Sequence, residues 1–111
     1  MNTALMVQSG LGKGRDCMLI QREIRDKGLS MSGIARALDV HHSLVQSTVC
    51  GTRNNRKVLA YLLKIGVHPK QLFPMAYKAP EAFRPAIDRM RRDLAEQNVR
   101  VDDLFTERRA A

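Results

Sequence analysis

Along most of the chain, apolar residues recur every three or four positions, a period that predicts helices joined by short breaks. Ile20 and Ile24, with Cys17 one turn earlier, stripe a first helix. Asp16 can cap its start, and it runs to Lys27 with Gly28 as its stop. Ser30 can cap a second helix with Ile34, Ala35 and Leu38 on its apolar face, although Gly33 stands where a capping box would carry Glu. After a break at Asp39-Val40-His41, the residues Val45, Thr48 and Val49 stripe a third helix over about 42–50, ended by Gly51. Thr52-Arg53-Asn54-Asn55 reads as a loop with two strong cap formers. The next helix, the fourth, spans 56–65, apolar at Val58, Leu59, Leu62, Leu63 and Ile65 and closed by Gly66. Pro69 suits the first position of a short fifth helix ending near Phe73, with Pro74 as its stop. Residues 75–84 read as a linker, and Pro85 suits the start of a sixth helix that reaches Gln97 and stops at Asn98. Its stripe is narrow: Ile87, Met90 and Leu94. A last short helix over 102–108 would bury Leu104 and Phe105, and no strand pattern appears anywhere.

The second and third helices are the centre of this pattern. Each is about two turns long, too short to be stable alone, so each must bury its apolar face on something else. Ala35 is small where two helices would cross closely, and Val40 is an apolar residue in the turn that can plug the gap between them. The third helix then presents His42, Ser43, Gln46 and Ser47, with Cys50 at the edge. An ordinary helical hairpin with a solvated polar face meets the same spacing. So does a helix-turn-helix, because Gln, Ser and His can reach base edges from a helix laid in the major groove.

Charge favours the second reading. The 111 residues carry a net charge of +8, and residues 1–80 hold all of it, with 12 Lys and Arg against 4 Asp and Glu. Residues 81–111 hold 7 of each and are neutral. From Val40 to Pro80 there are six basic residues and no acid, so the basic field covers the third helix and the residues after it. That is the footprint of a face that meets phosphates. No apolar run is long enough to span a membrane, and the first residues lack the form of a signal peptide. The expected location is therefore the cytoplasm, with the nucleoid. In that compartment Cys17 and Cys50, far apart and without a CxxC, read as free thiols.

Other chemistry finds little support in the sequence. The glycine-rich Ser9–Gly14 stretch brushes against a phosphate-loop pattern, but Gly follows its Lys and no strand precedes it. His41, His42, His68 and the two cysteines lack close metal-ligand spacing, and the acid-free 40–80 stretch gives the histidines no nearby carboxylate. Asp102-Asp103 reads as a helix start. No metal, cofactor, small-molecule substrate or catalytic residue is expected. RNA is disfavoured because stacking aromatics are scarce.

The order of helix, helix-turn-helix, Gly51, fourth helix and then Val67-His68-Pro69-Lys70-Gln71-Leu72-Phe73-Pro74 resembles a lambda-repressor-like DNA-binding domain. Within that group it is similar to the Ner/Nlp regulators of Mu-like transposable phages. They share a Leu-Ser-x-Ser lead-in, here Leu29 to Ser32, and a Pro-x-x-apolar-aromatic-Pro-x-x-Tyr ending, here Pro69, Leu72, Phe73, Pro74 and Tyr77. The resemblance covers about residues 14–78 and implies a non-enzymatic regulator of phage or prophage transcription. Two positions depart from it: Asp39 replaces the usual turn glycine, and Thr48 stands where a larger apolar residue is usual.

The expected protein is all-α: a lambda-repressor-like domain of about five helices over 15–78, a flexible arm over 1–14, and a C-terminal helical extension over 79–111. His41, His42, Ser43, Gln46 and Ser47 are the expected base readers of double-stranded DNA. Ser30, Ser32, Arg36, Thr52, Arg53, Asn54, Asn55, Arg56 and Lys57 are the expected backbone contacts. Ile87, Met90, Leu94, Leu104 and Phe105 are the expected contact of a homodimer reading two half-sites, the alternative being a tail folded back onto helices one and four of its own chain. An antitoxin-like or anti-CRISPR-associated autorepressor would use the same DNA chemistry. A helical adaptor with a basic face for an acidic protein is the alternative from another class.

Overall fold

Seven helices carry residues 11–100, the part of the chain that the computed structural model describes. They are α1 (Cys17–Asp26), α2 (Met31–Leu38), α3 (His42–Val49), α4 (Arg56–Lys64), α5 (Pro69–Leu72), α6 (Pro74–Lys78) and α7 (Arg84–Glu96). Among the described residues all regular structure is helical.

Side-chain caps fix where these helices start. An Asp16 carboxylate oxygen accepts from the Leu19 N–H at 3.1 Å, Ser30 Oγ from Gly33 N–H at 3.0 Å, and Asn55 Oδ1 from Val58 N–H at 3.0 Å. Each satisfies one of the backbone donors left open at a helix start. Two histidines do the same through Nδ1: His41 accepts from Ser43 N–H at 3.1 Å, and His68 from Lys70 N–H at 3.0 Å.

The helix ends repeat one device. Gly28, Asp39, Gly66 and Asn98 all take positive φ, and an apolar residue comes after each: Leu29, Val40, Val67 and Val99. The N–H of that apolar residue returns to a carbonyl five residues back, on Ile24, Ala35, Leu62 and Leu94, at 2.9–3.1 Å. This is the Schellman closure, and it tucks the apolar residue against the helix it ends. Asp39, with φ 57°, fills the role that glycine usually takes, because a short polar side chain tolerates the left-handed region.

The apolar faces meet in one core. α2 and α3 pack on each other most extensively; α3 also packs on α1 and α4, and α2 on α4. Ile20, Ile24, Ile34, Val45, Val49, Val58, Leu62, Leu72 and Phe73 are essentially sealed from solvent. Thr48 is sealed as well, and its hydroxyl finds no hydrogen-bond partner among the described residues. Its departure from an apolar residue therefore carries a desolvation cost.

Four expectations need correction. Pro74 ends α5 but also begins α6, which occupies part of the expected linker and buries Ala76. Proline is compatible with a first helical turn, where its missing N–H has no acceptor to serve. Second, the stripe of α7 faces inward: Ile87, Met90 and Leu94 are 8%, 5% and 1% exposed, and α7 packs on α4. Those three residues belong to the same core as the rest of the protein, so they offer no surface to a twin. Leu104, Phe105 and the helix expected over 102–108 lie outside the described residues. Third, the end of the expected arm is packed: Leu11 is buried, and Gly12 lies so near Gly51 that a Cβ on Gly51 would stand 2.8 Å from the Gly12 carbonyl oxygen. Gly51 also has φ 90°, so both space and conformation call for glycine there.

Fourth, Cys17 and Cys50 are not free thiols but form a disulfide. Packing α1 on α3 brings the start of one beside the end of the other, with Cα atoms 4.3 Å apart. Separation along the sequence could not reveal that approach.

Candidate nucleic-acid interface

The third helix is held from below by Val45, Thr48 and Val49, and its opposite face meets solvent. His42 and Gln46 are one turn apart on that face, and both are exposed. Among the described residues neither side chain is held by a hydrogen bond or an ion pair. The other three expected readers are tied to their own helix. His41 is the N-cap, and its Nδ1 also lies 2.8 Å from Ser43 Oγ. Ser47 Oγ donates to the Ser43 carbonyl at 2.8 Å. A serine hydroxyl bonded in this way still has lone pairs to offer, so Ser47 keeps acceptor capacity toward a neighbour.

The loop after α3 folds back on its last turn. Thr52 donates twice to the Ser47 carbonyl, through N–H at 3.0 Å and Oγ1 at 3.1 Å, and Arg53 N–H reaches the same oxygen at 3.3 Å. The Arg53 side chain is exposed and makes no ion pair among the described residues, and Lys57 on α4 is likewise outward. On α2, Ser32 and Arg36 are exposed, whereas Ser30 is the cap. Asn55 is the cap of α4.

Arg56 differs from this set. Its guanidinium meets Glu96 at 3.0 Å and Asp93 at 3.7 Å, so α7 supplies two carboxylates to a base expected to face phosphate. The acidic positions of α7 thereby border the acid-free stretch and neutralise its nearest cation.

The residue that sequence reasoning missed is Arg15. It is only 7% exposed, and its guanidinium is surrounded by acceptors from three distant parts of the chain. Nε donates to the Leu72 carbonyl at 2.7 Å and Nη1 to the Thr48 carbonyl at 2.7 Å and the Arg53 carbonyl at 3.3 Å. Nη2 donates to Asn54 Oδ1 at 3.0 Å, and the group lies 5.8 Å from the Phe73 ring centre. Burial draws its pKa down from the ordinary guanidinium range to about 10, which leaves it charged at neutral pH. Its hydrogen-bond acceptors are uncharged oxygens, so no pattern of opposite charges marks it in the sequence. An arginine ahead of a cap residue reads as surface.

Among the described residues no group of three His, Cys, Asp or Glu side chains could hold a metal ion. No helix there is long and apolar enough to cross a membrane. Neither a known protein family, nor a curated protein, nor a solved structure matches the chain.

Proposed function

We propose that this protein is a sequence-specific double-stranded DNA-binding regulator that represses phage or prophage genes, and that it acts without catalysis. In this reading α2, the Asp39-Val40-His41 turn and α3 form the helix-turn-helix of a lambda-repressor-like domain, similar to the Ner/Nlp regulators. One observation carries it: a short exposed helix face with two unengaged polar side chains, His42 and Gln46, set in a stretch with six bases and no acid. α3 enters the major groove, and Gln46 makes paired hydrogen bonds to an adenine edge. Ser32, Arg36, Thr52, Arg53 and Lys57 lie against phosphates and sugars and set the register. Bound protein excludes polymerase from an overlapping promoter. Where two copies read two half-sites, they meet through a surface other than the Ile87-Met90-Leu94 stripe.

Gln46→Ala tests the reader. It should cost about 1–3 kcal/mol on the specific site and relax preference at one base pair. Unchanged affinity together with unchanged preference would remove α3 from that role.

The ion pairs of Arg56 separate two bases that look alike in sequence. Arg53→Ala should weaken specific and random duplex about equally and lower the slope of log affinity against log salt by about one. Arg56→Ala should leave that slope nearly unchanged, because Asp93 and Glu96 already balance its charge. Equal falls for the two substitutions in a salt titration would contradict this assignment.

A further inference from the structure

We propose that Arg15 is a positioning residue for DNA binding: it holds the C-terminal end of α3 and the 52–55 loop in the geometry that presents Arg53 to phosphate. The inference rests on the DNA-binding reading above. It assigns a role to a buried residue that would touch no DNA.

The last turn of any helix leaves carbonyl oxygens without intrahelical donors and concentrates negative partial charge. The last turn of α3 has no basic residue of its own. Arg15, from the segment before α1, supplies the missing cation through its bond to the Thr48 carbonyl. The same nitrogen reaches the Arg53 carbonyl, and the neighbouring nitrogen reaches Asn54. Arg53 is thus fixed on both sides of its Cα: its N–H to Ser47, its carbonyl to Arg15. The Nε bond to Leu72 and the Phe73 ring fix the guanidinium in turn. The disulfide and the Gly12–Gly51 approach join the same two chain segments, but both stop at residue 51, and Arg15 reaches on to residues 53 and 54. A loop held in its binding geometry before DNA arrives loses less conformational freedom on contact. Only a planar group with five donors in a fixed fork can bridge these acceptors; a lysine ammonium cannot span them.

The test is a double-mutant cycle on the full chain, with affinity for specific and random duplexes measured across salt and corrected for the folded fraction. Arg15→Gln should weaken both duplexes roughly threefold to tenfold. It should lower the salt slope as Arg53→Ala does and leave base preference intact. In an Arg53→Ala background it should have almost no further effect. Arg15→Lys, which keeps the charge, serves if the Gln variant does not fold, and should show the same coupling. In the free protein, amide exchange at Thr52 and Arg53 should quicken in either variant relative to α1. Additive losses with an unchanged slope would overturn the proposal, since Arg15 would then stabilise the fold alone; so would unchanged exchange at 52 and 53. If the unaltered protein binds no duplex, the DNA reading falls and this role falls with it. The exchange measurement would still report whether Arg15 holds the loop, which separates the two failures.

Discussion

Leu94→Ala is expected to lower folding stability by about 2–5 kcal/mol, read as a shift of the urea midpoint at constant slope. Leu94 is 1% exposed, and its carbonyl accepts the Val99 N–H that closes α7. Truncation would leave a cavity among Ile87, Met90 and the α4 face, because α7 is part of the single core. The same packing decides what removal of residues 80–111 does. A separate dimerisation element would leave a folded, monomeric fragment. Loss of a helix that packs on α4 and belongs to the single core would leave the fragment unfolded or strongly destabilised. A small effect of Leu94→Ala, with a concentration-dependent mass that it abolishes, would restore the stripe to an interface between copies.

Breaking the disulfide is the other large expected effect. Cys17 and Cys50 are 33 residues apart, and a cross-link of that span restricts the unfolded chain by about 3–4 kcal/mol on the chain-entropy account. Cys50→Ser, or a reducing agent, should lower the thermal midpoint of the oxidised protein by a matching amount. The two treatments should not add. Equal midpoints with and without reductant would show that the pair contributes nothing to the stability of the folded state. DNA binding should therefore be measured on both the oxidised and the reduced protein.

The legible parts of the fold are those set by local chemistry. Asp16, Ser30 and Asn55 cap the helices that their spacing predicts, because an N-cap bond needs only residues three positions apart. Asp39, at the predicted break, and Asn98, at the predicted stop, both take positive φ, again for a local reason. Residues 63–67 and 95–99 share one helix closure, a left-handed residue followed by a valine whose N–H returns to the carbonyl five residues back. The illegible parts depend on where distant segments meet. The α7 stripe is visibly apolar, but its period does not say whether it packs on its own chain or on another. Cys17 and Cys50 carry no trace of their approach, and Arg15 resembles any surface base. A polar ring at a helix start marks His41 as a base contact, and its Nδ1 is bound to the Ser43 N–H instead. Within the candidate site, His42 and Gln46 have the exposure a reader needs, and Arg56 is turned to Asp93 and Glu96.

Selection of bound duplexes from a random pool, at near-physiological salt and with both the disulfide-bonded and the reduced protein, tests whether α3 reads a DNA sequence. An enriched motif is expected, with affinity that falls steeply as salt rises because phosphate contacts release counterions. No enriched sequence, with equal binding to duplex and to an unrelated polyanion of similar charge, would contradict it and leave a basic helical surface for an acidic partner.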